Sequence, residues 1–215
     1  SQTQPKIDNY PFGSLNVDVM VIPFGMDNPV KIGTMSQSGD IQFEIPEKLP
    51  NISKETEENF MSDVAYTLFD ICDNGNRMLS ENDNIKSVEA GYVSLWTSDN
   101  RYVGVIFTVS DDNLMPWVED PGYMEPILGS YYELIYVAKT FQYQGECNQT
   151  RMLDEGDAQI KYIYNLNLKA GFNFIEYKIE SIHKTDPNVM ASFPDKVSVT
   201  NVEGIPNCKW IGKYF

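Results

Sequence analysis

Between Val30 and Pro46 the chain spells a strand, a tight turn and a second strand. Past the turn, Ile41, Phe43 and Ile45 fall on one side and Asp40, Gln42 and Glu44 on the other, the period-two pattern of a strand with one face in water. Ser38-Gly39-Asp40 supplies the positive-φ residue that a tight hairpin requires. A chain written this way must bury one face of a sheet, and the pattern recurs along it. Leu15, Val17, Val19 and Val21 alternate; Tyr92 to Thr97 and Tyr102 to Val109 flank Ser98-Asp99-Asn100-Arg101 as a second hairpin. Tyr132, Leu134 and Tyr136 alternate, as do Phe141, Tyr143, Gly145 and Cys147 after an offset at residues 138–140 that reads as a bend or bulge. Ile160, Tyr162, Tyr164, Leu166 and Leu168 share a face; with the Lys169-Ala170-Gly171 turn and the run from Phe174 to Ile179 they predict a third hairpin. Val197 to Thr200 and the region of Trp210 and Ile211 form a final pair.

One segment changes period. Ser53 suits an N-cap, Glu55, Glu57 and Glu58 follow where the helix dipole favours acids, and Phe60, Met61, Val64, Ala65, Leu68, Phe69 and Cys72 form one apolar stripe before Asp73-Asn74-Gly75. The spacing predicts one substantial α-helix over Ser53 to Cys72. The expected fold is therefore mainly β, an antiparallel β-sandwich-like architecture with that helix covering an edge or an open face. Residues 1–11 read as a polar tether and 12–215 as a single β-rich domain, with 73–87, dominated by Asn, Asp, Glu and Ser, as the place where a boundary would fall. At 215 residues and 42% hydrophobic, the chain carries enough apolar material for one sizeable core.

Charge narrows the partners. Lys and Arg number 16 against 31 Asp and Glu, a net charge of -15 that repels nucleic-acid backbones and anionic lipid surfaces. The longest apolar run, Val103 to Val109, is far shorter than the roughly 20 residues of a membrane-spanning helix, so no transmembrane segment is expected. Ser1-Gln2-Thr3-Gln4-Pro5-Lys6 reads as the remainder left when an upstream export or lipid-anchor segment is removed, which points to an extracellular or cell-envelope location. Three cysteines allow one disulfide. Cys72 extends the helix stripe as a small core residue, so if a pair is bridged the expected pair is Cys147 with Cys208, both in polar surroundings late in the chain.

No catalytic motif stands out. His183 is the only histidine, so a histidine-rich zinc site is excluded, no Gly-x-Ser-x-Gly elbow presents a serine, and a structural or exposed role is expected for His183. Acidic groups cluster at Asp70, Asp73, Glu81 and Asp83, at Asp111 and Asp112, and at Asp154, Glu155 and Asp157. Calcium is the cation such loops could hold, but none has the spacing of a calcium loop; solvated charge explains them and no cofactor is expected. The segment from Ser110 to Gly129 is long for a connection and carries aromatics, with Tyr131 and Tyr132 beside it. Leu114, Met115 and Trp117 are the expected anchors to the sheet. Trp117, Tyr123, Glu119 and Asp120 together make the expected binding surface, where exposed rings stack on sugars or anchor a protein.

The turn from Asn165 to Asn173, the strand that follows and Trp210 near the end resemble a pattern in uncharacterised secreted lipoproteins of Bacteroidetes-type bacteria. Val30 to Pro46 is similar to the closing hairpin of carboxypeptidase-regulatory or transthyretin-like modules, in which a glycine-containing turn leads into an alternating strand ending in proline. The first resemblance implies an envelope location and the second a β-sandwich module without catalysis. The functional expectation is a non-enzymatic exported protein that binds or scaffolds a protein or glycan at the cell surface. The alternative is a carboxylate-dependent, glycan-active hydrolase, which would show two carboxylates facing each other across a deep cleft.

Overall fold

A computed structural model describes residues 4–8, 10, 11, 13–50, 53–81 and 83–215. Expectations that fall on Ser1 to Thr3, on Asn9 and on the Phe60 side chain lie outside the described residues. In chain order the first elements are β1 (Val17–Val21), β2 (Val30–Met35), β3 (Ile41–Phe43), α1 (Lys54–Phe60), β4 (Ser62–Asp63) and α2 (Val64–Leu68). Next come β5 (Lys86–Glu89), β6 (Val93–Trp96), β7 (Tyr102–Val109), α3 (Met115–Glu119) and β8 (Gly129–Val137). The last are β9 (Phe141–Arg151), β10 (Ala158–Leu168), β11 (Gly171–His183), β12 (Phe193–Asn201) and β13 (Lys209–Tyr214).

The protein is mainly β and mostly antiparallel, as the alternation demands. Hydrogen-bonded neighbours run β3-β2-β1-β6-β7-β13 in one half and β4-β5-β8-β11-β12-β10-β9 in the other. Among the described residues a single pairing, Val109 with Tyr131, joins the two halves at a corner. Strands on both sides of residues 73–87 share this framework, since β1 pairs with β6 and β4 with β5. The main core lies between the halves: Val17, Val19, Val21, Ile32, Met35 and Leu95 from the first meet Val88, Leu134, Tyr136 and Phe174 from the second.

Strands β8 and β11 are apolar on both faces, so their alternation serves two cores. Leu134, Tyr136 and Phe174 face the inter-layer core, while Ile135, Val137 and Ile175 join a second cluster on the opposite face. That outer cluster is roofed by Val64, Ala65 and Leu68 of α2 with Phe69 and Cys72 beyond it. A third, smaller cluster at the corner contains Val109, Leu114 and Ile179. Among the described residues no helix is long and apolar enough to cross a membrane.

Five sequence expectations change. Val197 to Thr200 and the Trp210–Ile211 region do not pair with each other, because β12 joins β10 and β11 while β13 crosses to β7. The helix over Ser53 to Cys72 is broken: Ser62 and Asp63 are extended and pair with Ser87 and Lys86, Val64 N–H donates to Ile85 O at 2.7 Å, and Lys86 reaches Asp63 at 3.2 Å. Backbone pairing to β5 overrides a helical period whose two halves bury separately. The third hairpin does not form, because β12 inserts between β10 and β11, running parallel to β10 and antiparallel to β11. The tether is partly built in: Lys6 bridges Asp40, Ile7 bridges Trp210, and Ile7 is buried in the main core.

The disulfide joins Cys72 to Cys147, with Cα atoms 5.8 Å apart, and Cys208 is the free cysteine. The expected Cys147 to Cys208 bridge fails on alternation. Cys147 shares the inward face of β9 with Phe141, directly below the roof that carries Cys72, whereas Cys208 packs beside β13 against the main core.

A candidate ligand cleft between two short helices

The floor of the cleft is set by register. Tyr131 lies opposite Tyr177 and Glu133 opposite Ile175 on neighbouring β8 and β11, so alternation projects Tyr131, Glu133, Ile175 and Tyr177 onto one face. The two tyrosine rings stack with centroids 5.0 Å apart and planes 9° from parallel. Thr67 and Leu68 of α2 form one wall; Trp117 and Val118 of α3, with Pro121, form the other. Glu89, Gly91, Tyr92 and Phe107 close a third side, and the volume enclosed is about 400 Å³. Trp117 packs edge-on against Tyr131 at 5.6 Å, and Tyr92 meets Phe107 at 5.5 Å. Gly91 lets the chain turn there: its φ is 75°, and a Cβ would lie 2.8 Å from the Ile22 carbonyl oxygen.

Local chemistry holds the α3 wall in place. The ends of the segment are clamped where Ser110 N–H donates to Ser130 O at 2.8 Å and Ser130 N–H donates to Ser110 Oγ at 2.8 Å. Asp111 Oδ1 then accepts from Asn113 N–H at 2.8 Å, capping a 3-10 turn, and Pro116 opens α3 in the first-turn position where no N–H is needed. Leu114, fully buried against Val109 and Ile179, anchors the whole segment.

The electrostatics of the cleft are one-sided. Its lining includes the carboxylates of Glu133 and Glu89 and contains no lysine, arginine or histidine. Glu133 is exposed to the solvent of the cleft; the protein packed around it still desolvates it in part and, with repulsion from Glu89 and Asp70, pushes its carboxyl up to about 7. Glu89 is raised by the same desolvation and by Asp70. Asp70, just past α2, is itself raised by desolvation against the opposing backbone N–H of Ile71. Burial, with Glu133 next in importance, holds the Tyr131 and Tyr177 phenols well above their ordinary value. Among the described residues neither Glu133 nor Glu89 has a hydrogen-bond or ion-pair partner for its carboxylate.

Of the residues expected to form a site, Trp117 alone lines this cleft. Tyr123 is 84% exposed outside it, Glu119 is paired with Lys213, and the Asp120 carbonyl accepts from the Tyr123 and Met124 backbone N–H groups. The anchoring through Leu114, Met115 and Trp117 is as the sequence reading has it. Glu133 was missed because Tyr132, Leu134 and Tyr136 defined the inward face; the signal was a lone carboxylate in the other register, between Tyr131 and Ile135.

The remaining candidates have other employment. His183 stacks on Phe193 at 4.9 Å, with the Arg151 guanidinium 4.4 Å from the centre of that same ring. Burial, then Glu176, pushes the Cys208 thiol up to about 12, far from a reactive thiolate. Asp73, Asp83 and Asp111 are engaged by Thr150, Ser80 and Asn113. Among the described residues no group of three or more His, Cys, Asp or Glu side chains is arranged to hold a metal ion. Comparison with family models, with curated proteins and with solved structures returns no match for this chain.

Proposed function

We propose that the chain is an exported, non-enzymatic binding module of the cell envelope, and that the cleft over Glu133 is its site. The observation that carries the reading is the cleft itself: a concavity of about 400 Å³ lined by Trp117, Phe107, Tyr92 and the Tyr131–Tyr177 stack, with an unpartnered carboxylate on its floor. Binding sites have this composition, mostly apolar and aromatic walls with few orienting polar groups. Export is supported by the Cys72–Cys147 disulfide, since such bonds persist in oxidising compartments.

The hydrolase alternative draws on one observation, a carboxyl at about 7 with a second carboxylate lining the same cleft. Glu133 would then serve as a proton donor and Glu89 as its partner. A thermal-shift panel of oligosaccharides, peptides and amines, run on the wild type and on Val118→Trp, tests the choice. The binding reading expects at least one class to raise the melting temperature of the wild type and not of the variant, whose larger ring fills the cleft. Equal shifts in both would move the site elsewhere. Glycan turnover that Glu133→Gln abolishes would establish the hydrolase.

A further inference from the structure

We propose that the cleft recognises a primary ammonium carried on a short apolar stem, the ammonium meeting Glu133 and the stem lying along the aromatic surface that Trp117 and the Tyr131–Tyr177 stack form together. This rests on the cleft being a binding site and names the chemistry it selects. Three independent features of the lining converge. Its carboxylates are Glu133 and Glu89 and it contains no basic side chain, so an anion entering it meets only like charge. The Glu133 carboxylate has no partner among the described residues, although eight Lys or Arg side chains elsewhere in the described structure form ion pairs. Lys86, at the far end of β5 from Glu89, is turned to Asp63. The walls are aromatic, and the faces of Trp, Tyr and Phe attract a cation by about 0.5–2 kcal/mol when water is displaced.

A neutral sugar stacks on the rings and donates hydroxyl hydrogen bonds to the carboxylate but leaves its charge uncompensated; a metal ion compensates the charge but gains nothing from the rings, and no ligand cluster for one exists among the described residues. An alkylammonium uses both. It also relieves the repulsion that Glu133 experiences from Glu89 on β5 and from Asp70 beyond α2, with Tyr131 and Tyr177 as the remaining titratable neighbours on the floor. Only the ionised carboxylate gains from the cation, so binding releases a proton from the fraction of molecules in which Glu133 is protonated. With that carboxyl at about 7, affinity should fall about 100-fold from pH 8 to pH 5, one factor of ten for each unit below the pKa.

The experiment is an NMR titration of the full chain, following the Trp117 indole N–H and the backbone amides of β8 and β11. The probes are n-butylammonium, its neutral counterpart n-butanol, and Nα-acetyl-lysine methylamide. The expected result is that n-butylammonium binds at pH 8 at least tenfold more tightly than n-butanol. The preference should disappear in Glu133→Gln and the affinity should collapse at pH 5. Asp157→Asn, on the exposed β9–β10 turn, controls for diffuse attraction to a chain of net charge -15 and should change nothing. Tighter binding of the lysine derivative assigns the ammonium to a partner's lysine side chain; tighter binding of n-butylammonium assigns it to a free amine. If n-butanol binds as well as n-butylammonium, and Glu133→Gln binds both equally, the cation preference is overturned while the cleft remains a binding site. If none of the three probes shifts the cleft resonances, the ammonium proposal is overturned, and the separate panel with Val118→Trp decides whether the cleft binds another class.

Discussion

The two walls of the cleft are made alike and fastened differently. Each is a five-residue helix, α2 from Val64 to Leu68 and α3 from Met115 to Glu119, laid over the same sheet face. The α2 wall is stitched down: Cys72 is bonded to Cys147, Tyr164 Oη donates to Leu68 O at 2.9 Å, and Asp73 N–H donates to Asn148 O at 3.0 Å. The Asp73 carboxylate in turn accepts from Thr150 N–H and from Thr150 Oγ1 at 2.6 Å, and those bonds hold its carboxyl below the usual range. The α3 wall has no covalent tie and is held by packing and by the Ser110–Ser130 hydrogen bonds at the ends of its segment. Leu114 is buried, Trp117 and Val118 are half-buried, and the ion pairs Glu119–Lys213 and Asp112–Lys209 lie on the surface. Its largest side chain even carries a mismatch, since the Trp117 indole N–H is buried without a partner among the described residues, a defect that typically costs about 1–3 kcal/mol. Opening of the cleft is therefore expected at α3, with α2 as the fixed jaw.

The largest effect expected is loss of the bridge. Replacing Cys72 and Cys147 together by Ala frees a loop closed over 75 residues and should lower stability by about 4 kcal/mol in the chain-entropy description. Denaturant unfolding measures the loss, and hydrogen exchange at Val64 to Phe69 should then approach that at Met115 to Glu119. A double variant that loses less stability than Leu114→Ala would break the comparison, because the covalent stitch would then matter less than one apolar anchor.

Leu114→Ala is the counterpart on the mobile side. Emptying a fully buried leucine site should cost about 3 kcal/mol. The loss should be local first: amides of residues 115–120 should exchange rapidly under conditions in which α2 stays protected. If both walls lose protection together, the two jaws open as one unit.

What the sequence could reveal follows the same division. Short-range signals were legible: the β2–β3 hairpin turns at Gly39 with φ 83°, and the β6–β7 hairpin turns through Asn100 with φ 61°. Leu114 and Trp117 were recognisable as anchors because a long loop needs apolar residues to offset its ordering entropy. Pairings between distant segments were not legible. Nothing in Lys169-Ala170-Gly171 distinguishes a hairpin turn from a connection that leaves room for β12, and the run from Phe60 to Cys72 carries a helical period that β5 interrupts from outside. The site suffered most, because Glu133 becomes conspicuous only when β8 proves apolar on both faces and its second register turns into the floor of a cleft.

Glu133 gives a test of the floor between the jaws. Its folded-state carboxyl is raised above the unfolded value, so the native state binds the extra proton and stability is lost as pH rises from about 4.5 through about 7. Glu133→Gln removes that loss. The variant should be more stable than the wild type at pH 8, and the gain should shrink by roughly 1 kcal/mol on going to pH 5, solvent in the cleft having screened part of the charge. Thermal unfolding at the two pH values checks it. A gain that is the same at both would mean that the carboxylate is not strained by its surroundings and that the repulsion from Glu89 and Asp70 is relaxed.

The smallest effects are expected on the outer side of α3, and they separate the cleft from the surface first read in the sequence. Lys213→Ala removes an exposed ion pair with Glu119 and should cost at most about 0.5 kcal/mol. Tyr123→Ala removes a ring that is 84% exposed and outside the cleft lining, so its stability should stay within about 0.5 kcal/mol of the wild type. Binding of n-butylammonium should also be unchanged in Tyr123→Ala, whereas Trp117→Ala should weaken it by removing a wall. A Tyr123 variant of unaltered stability that nevertheless loses affinity for the cleft ligand would show that the ligand extends over the α3 segment and past Pro121, making the mobile jaw a contact surface on both of its sides.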